Sequence, residues 1–382
     1  MEPIKFYKFM KTEPCPCGSG KKYRACCFNR KDPELPFEKV PTEKREGAFK
    51  NFAYKLDKET KIKECLYPDS KQCEGRIKNA HSLQNNGVLS KIAEDGHVVI
   101  LNPDFGKDDL IYDVKDESKN KATTFTGFCD KHDTLVFLDI ETKEINVKSS
   151  KQCFLFAYRA FALEMHKKKE ELKSSKQLFK LKPSTTKVSE YVADYRFKEL
   201  SLKDLFEYKL LFDDALMNEN YDRIQSTTFT FDYEISMASC GAVTLTHDIK
   251  GNVMNDTYSM EDERLKTLFF TILPNGGKTY FIFNWIKDET DFFRDYIQQL
   301  ENLTQDQFRN YINNFLPTYT ENLVLAPSLW RSFTEEQKDT FFKLFSAQFK
   351  SYHYIQMRKN LLGNTPYDLL TNVVREEKVA ES

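Results

Sequence analysis

The tightest constraint on this chain is a run near its start, Glu13-Pro-Cys-Pro-Cys-Gly-Ser-Gly-Lys-Lys-Tyr-Arg-Ala-Cys-Cys27. Cys15 and Cys17 are one residue apart, and the adjacent pair Cys26 and Cys27 follows after eight more. Four soft donors this close together can fill a tetrahedral Zn²⁺ site without help from elsewhere. Gly18 and Gly20 permit the positive φ values that fold the two pairs onto each other. Pro14 and Pro16 stiffen the first pair and remove amide donors that would otherwise need partners.

The order Cys-x-Cys-Gly-Ser-Gly-Lys-Lys-Tyr-x-x-Cys-Cys resembles the SEC-C motif, the zinc-binding tail of the SecA preprotein translocase ATPase. The resemblance covers about residues 13 to 28. It implies that Cys15, Cys17, Cys26 and Cys27 hold Zn²⁺. In the translocase the module engages a protein chaperone and the ribosome. The resemblance therefore also implies a partner-docking surface around Lys21, Lys22 and Arg24.

A second ligand-rich region reads Cys65-x7-Cys73-x7-His81 and, after a β-rich insertion containing Gly96 to Leu101, Phe128-Cys-Asp-Lys-His-Asp133. Cys129-x2-His132 has the reach of a zinc knuckle, and Cys65 and Cys73 complete a four-donor set. This order resembles an HNH-type (ββα-metal) nuclease module on a zinc frame, across roughly residues 60 to 142. The resemblance implies structural zinc on Cys65, Cys73, Cys129 and His132, with His81 as general base. The family's Asn falls on Thr124 and its metal-ligating His on Asp133. Asp133 is a hard oxygen donor of the kind Mg²⁺ prefers.

Hydrophobic residues make up 40% of the 382, which supports two or three domains with a sizeable core. No apolar run reaches the roughly 18 residues of a membrane span. The N-terminus lacks the apolar stretch of a signal peptide. Nine cysteines, an odd number with five of them close to one another or to a His, favour metal ligation in a reducing compartment over disulfides. Cys153 and Cys240 read as buried free thiols. The expectation is a cytoplasmic bacterial protein with no membrane partner.

A net charge of −1 conceals an asymmetry. Residues 1–80 carry 19 basic against 12 acidic side chains, and residues 165–187 carry 8 against 2. Residues 188–382 carry 20 against 30. Contact with a polyanion such as nucleic acid is thus expected in the N-terminal half.

The expected fold class is α+β, in four parts. Residues 1–48 form the zinc knuckle and a linker, and 49–150 the zinc-framed module. Residues 151–188 make a helical connector, and 189–382 a domain of antiparallel sheet plus helices. Phe154, Ala157, Tyr158, Phe161, Ala162 and Met165 mark the apolar face of the connector helix, with Arg159 and Glu164 as surface or interface charges. The lysines after His166 read either as a solvated helix end or as a phosphate-tracking face. Residues 228–235 alternate as a half-buried strand, and Pro274-Asn-Gly-Gly277 marks a hairpin. Thr304 with Gln307, and Thr334 with Gln337, have capping-box spacing. The C-terminal half carries no phosphate loop, no Gly-x-Ser-x-Gly and no His-Glu-x-x-His, and its His247 and His353 stand singly.

Two functions are consistent with these motifs. One is an HNH-like metal-dependent nuclease, with His81 and Asp133 as catalytic residues, acting on nucleic acid in defence or DNA processing. The other is a non-enzymatic adaptor docking a protein through its SEC-C motif. Two Zn²⁺ sites belong to both readings, and Mg²⁺ only to the first.

Overall fold

The computed structural model describes residues 7–105, 110–256, 263–347 and 361–372. His353 and the charged tail after Val374 lie outside them. The described chain is α+β, with every strand pairing antiparallel.

A single long helix organises the fold. We label helices and strands in chain order, beginning with α1 (Arg45–Thr60) and β1 (Ile77–His81), then β2 (His97–Phe105), β3 (Leu110–Ser118) and β4 (Thr124–Cys129). They are followed by α2 (Asp130–Thr142), α3 (Ser150–Leu181) and α4 (Ser189–Met217). The Ser149 side chain caps α3 by accepting from the Gln152 amide, and Pro183 follows its end. Residues 152–163 of α3 are all buried, so the helix is apolar around its circumference there, as a core helix must be. Its face is wider than the stripe read from the sequence.

Arg159 lies within this stretch at 5% exposure, so of the two expected roles, surface or interface charge, the surface one does not hold. Its guanidinium pairs with Glu141 at 2.5 Å and lies 4.3 Å from the Phe137 ring centroid. A buried charge survives only with such a partner. The first lysines after His166 are not a free cationic face either. Lys167 pairs with Glu321 at 3.3 Å, Lys168 with Glu171 at 2.8 Å and Lys169 with Glu64 at 2.8 Å.

The remaining strands are β5 (Ile224–Phe231), β6 (Met237–Val243), β7 (Leu268–Asn275), β8 (Lys278–Ile286) and β9 (Leu323–Leu325). With β2 and β3 they form a seven-stranded sheet of order β3-β2-β9-β6-β7-β8-β5. The three-residue strand β9 joins strands from the two halves of the chain, with Val99 of β2 opposite Leu325 on one side and Met237 of β6 opposite Leu325 on the other. The sheet therefore crosses the boundaries expected at residues 150 and 188. β5 starts earlier than the alternation at 228–235 indicated and stops at Phe231, leaving Tyr233 and Ile235 beyond it.

The β7–β8 hairpin turns on Gly276 and Gly277, with φ of +63° and +79° between the paired Asn275 and Lys278. Two successive left-handed residues make the type I′ turn that suits strand twist. Helices α5 (Thr290–Glu301), α6 (Gln305–Tyr319), α7 (Pro327–Ser332) and α8 (Glu335–Ala347) complete the chain. Thr304 and Gln307 form a full capping box on α6, and Thr334 and Gln337 exchange the same pair of bonds at α8. Cys153 and Cys240 are buried free thiols.

Phe161 is fully buried and meets Phe212 of α4 at 4.7 Å and Phe269 of β7 at 6.4 Å. Phe161→Ala should cost about 3–5 kcal/mol, since it opens a cavity where α3, α4 and the sheet meet. Denaturant unfolding measures this.

Candidate metal centres

The N-terminal knuckle is built by short-range backbone bonds. Cys15 N donates to Lys21 O at 2.8 Å, and Tyr23 N to Glu13 O at 2.8 Å, making a small β-like loop. Gly18 and Gly20 adopt φ of +76° and +73° at its bend. The loop brings four sulfurs together. Cys15 to Cys17 is 3.4 Å, Cys17 to Cys26 is 3.6 Å and Cys26 to Cys27 is 3.9 Å. A tetrahedral ion with Zn–S bonds near 2.3 Å needs edges of about 3.8 Å.

Burial pushes the Cys27 thiol far above its ordinary range, and the neighbouring cysteines add to the shift. Cys17 moves the other way, to about 7, because hydrogen bonding with Ser19 and Cys15 outweighs its desolvation. Without a cation these crowded thiols cannot all ionise together. A bound divalent ion removes that conflict.

The knuckle is not a free appendage. It packs on the tip of the α3–α4 hairpin through Phe9, Tyr23, Cys27, Phe179, Val192 and Tyr195. Tyr23 Oη lies 2.8 Å from Thr186 Oγ1, and Arg196 pairs with Glu13 at 2.7 Å. The expected linker is also anchored in part. Asp32 accepts from Ser184 N at 2.8 Å, and Leu35 is buried.

The second group assembles from two distant segments. Glu64 N and Leu66 N donate to Thr126 O and Gly127 O, which lays Cys65 beside β4. Cys73 follows a turn capped by Asp69, while Cys129 ends β4 and His132 sits in the first turn of α2. His132 Nδ1 lies 3.4 Å from Cys65 Sγ, 3.7 Å from Cys73 Sγ and 3.2 Å from Cys129 Sγ. All four donor atoms fall within 4.8 Å of one another.

Tyr67 stacks on the His132 ring at 3.7 Å and 11°, fixing its plane. Burial and the adjacent Lys131 lower the His132 pKa, which favours the neutral form a metal requires. Burial raises the Cys73 thiol to about 12, with help from Cys65. Among the described residues these are the two groups with metal-ligating spacing, and three Cys with one His is a zinc-type donor set.

His81 and Asp133 do not belong to either group. β1 and β4 pair antiparallel, with His81 opposite Thr124, and α2 follows directly from β4. His81 Nδ1 lies 3.1 Å from the Ala122 carbonyl. Burial lowers its pKa, against the opposing pull of that carbonyl and of Glu141. Asp133 pairs with Lys78 at 3.3 Å. Glu141 and Arg159 act on His81 more strongly than Asp133 does, and the sequence reading assigned neither a role there. An arginine inside the apolar run of α3 was the available signal.

Cys17→Ser and Cys129→Ser should each remove about one equivalent of bound zinc, since closed four-ligand sites tolerate loss of a thiolate poorly. Metal analysis of the purified variants against wild type checks this, and unchanged content would count against the assignment.

A search of curated proteins and a search of solved structures found no match. A family model, that of the SEC-C motif, matches residues 12–29. The docked N-terminal knuckle is a SEC-C motif, with Cys15, Cys17, Cys26 and Cys27 placed to hold its metal.

Proposed function

We propose that this is a zinc-binding protein that acts on nucleic acid through the module of β1, β4 and α2. Zinc on Cys65, Cys73, Cys129 and His132 would frame that module, as it would the SEC-C knuckle. The observation that carries the reading is the placement of His81. It sits at the end of β1 with Nδ1 against the Ala122 carbonyl. With Nδ1–H donated there, Nε2 carries the basic lone pair.

The lowered pKa keeps the ring neutral, as a general base must be before it takes a proton from an attacking water. Phosphodiester hydrolysis would also call on a divalent cation to stabilise charge on the phosphate. Asp133 is the oxygen donor at the start of α2, and it would have to give up Lys78 to serve.

The second reading, a protein adaptor, draws on one observation. Residues 18–22 and Arg24 of the SEC-C motif are exposed, while Tyr23 between them is buried. A partner could dock there with no catalytic role for His81.

His81→Ala separates the two. Under the proposal it abolishes Mg²⁺-dependent cleavage of DNA or RNA, with zinc content and circular dichroism unchanged. Wild-type cleavage should persist below the ordinary histidine range, because a depressed pKa keeps His81 unprotonated there. Cleavage undiminished by the substitution would reject the base role, as would loss of zinc.

A further inference from the structure

Two basic segments far apart in the sequence meet at the docked knuckle. Lys11 Nζ lies 4.5 Å from the centroid of Phe28, and Lys187 Nζ lies 5.3 Å from the same ring. Arg30 donates to the Lys180 carbonyl, and Asp32 holds Ser184. Lys21 and Lys22 precede Tyr23, whose hydroxyl meets Thr186. Lys11 and Lys187 thus flank one ring, and docking sets the basic segments 11–30 and 180–187 side by side.

The lysines of α3 divide sharply. Lys167, Lys168 and Lys169 are each bound to a carboxylate. Among the described residues, Lys11, Lys21, Lys22, Lys180, Lys182 and Lys187 make no ion pair, and all but the half-buried Lys182 are exposed. Asp32 is one carboxylate set among them. Against its own desolvation, hydrogen bonds from Ser184 and the charges of Lys182 and Arg30 hold it below the ordinary range. It is already committed to Ser184.

We propose that this composite face grips the phosphate backbone of a nucleic acid, with the SEC-C motif and the α3–α4 tip each supplying part of the grip. The inference rests on the nucleic-acid reading above and adds the surface that does the binding. The partner's chemistry follows from the cations. The six lysines are point charges on flexible stems that can follow successive phosphates, and the exposed Arg24 of the same motif adds a fork that also fits phosphate. The two sequence segments lie about 150 residues apart, and docking of the knuckle on α3 unites them. The acidic C-terminal half, repelled by the polyanion, would be held away from it.

The test compares wild type with Lys22→Glu/Lys182→Glu/Lys187→Glu. A control carries Lys55→Glu/Lys148→Glu/Lys287→Glu at exposed sites elsewhere. The probes are fluorescent 20-residue DNA and RNA, single- and double-stranded, titrated at several salt concentrations. The tip variant should bind at least ~10-fold more weakly near 0.1 M salt, with a log–log salt slope smaller by about 2–3. The control should stay within about threefold of wild type. Lys21→Gln/Lys22→Gln/Lys187→Gln, which introduces no negative charge, should show a smaller loss of the same kind with zinc content intact.

Tip variants that bind like the control would overturn the inference and leave the nucleic-acid reading standing. Failure of the wild type to bind any probe would overturn both. Displacement of the oligonucleotide by polyglutamate of equal total charge, at equal concentration, would overturn the choice of nucleic acid in favour of an acidic peptide.

Discussion

The rest of the molecule depends on the burial of α3. Twelve consecutive residues, 152 to 163, are out of solvent, so the helix must be covered on every side at once. One side meets the seven-stranded sheet, another meets α4, and a third meets the module of β1, β4 and α2. Tyr158 shows how tight this is. It is fully buried, packs with Phe128, Phe137, Phe154 and Phe212, and reaches the Leu66 carbonyl at 3.3 Å. A helix that apolar has no stable solvated state of its own, so its coverings fold with it or not at all.

The two metal-ligating groups stand at separate places along this helix. The Cys65–His132 group lies beside its buried N-terminal half, where His166 also meets the Ile62 carbonyl at 3.0 Å. The SEC-C group lies at the far tip, against Phe179 and the turn into α4. Each group forces thiols into contacts that their own electrostatics oppose. Metal binding and local folding are coupled in such a place, because the ligand cage exists only once the loop is closed.

Short-range features were legible. The four cysteines at 15–27 define their cluster by spacing alone, and the group of Cys65, Cys73, Cys129 and His132 meets as its spacing indicated. Capping boxes and the Gly276-Gly277 turn are local chemistry and sit where read. What stayed hidden depends on distant partners. Nothing near Arg159 announces Glu141, and nothing near Lys167 announces Glu321, 154 residues away. The pairing of β2 with β9 is likewise invisible, since Leu323 to Leu325 is too short to carry a period. Lysine counts also mislead, because whether a lysine is available to a ligand depends on carboxylates that only the fold brings near.

Hydrogen exchange on wild type and Cys17→Ser tests most directly the claim that the SEC-C knuckle is clamped by its metal to the tip of one core helix. The account predicts that amides around residues 172–196 lose protection while those of residues 152–163 keep it, because the core covers the latter independently of the knuckle. Unchanged protection at the tip, or equal loss along all of α3, would contradict it.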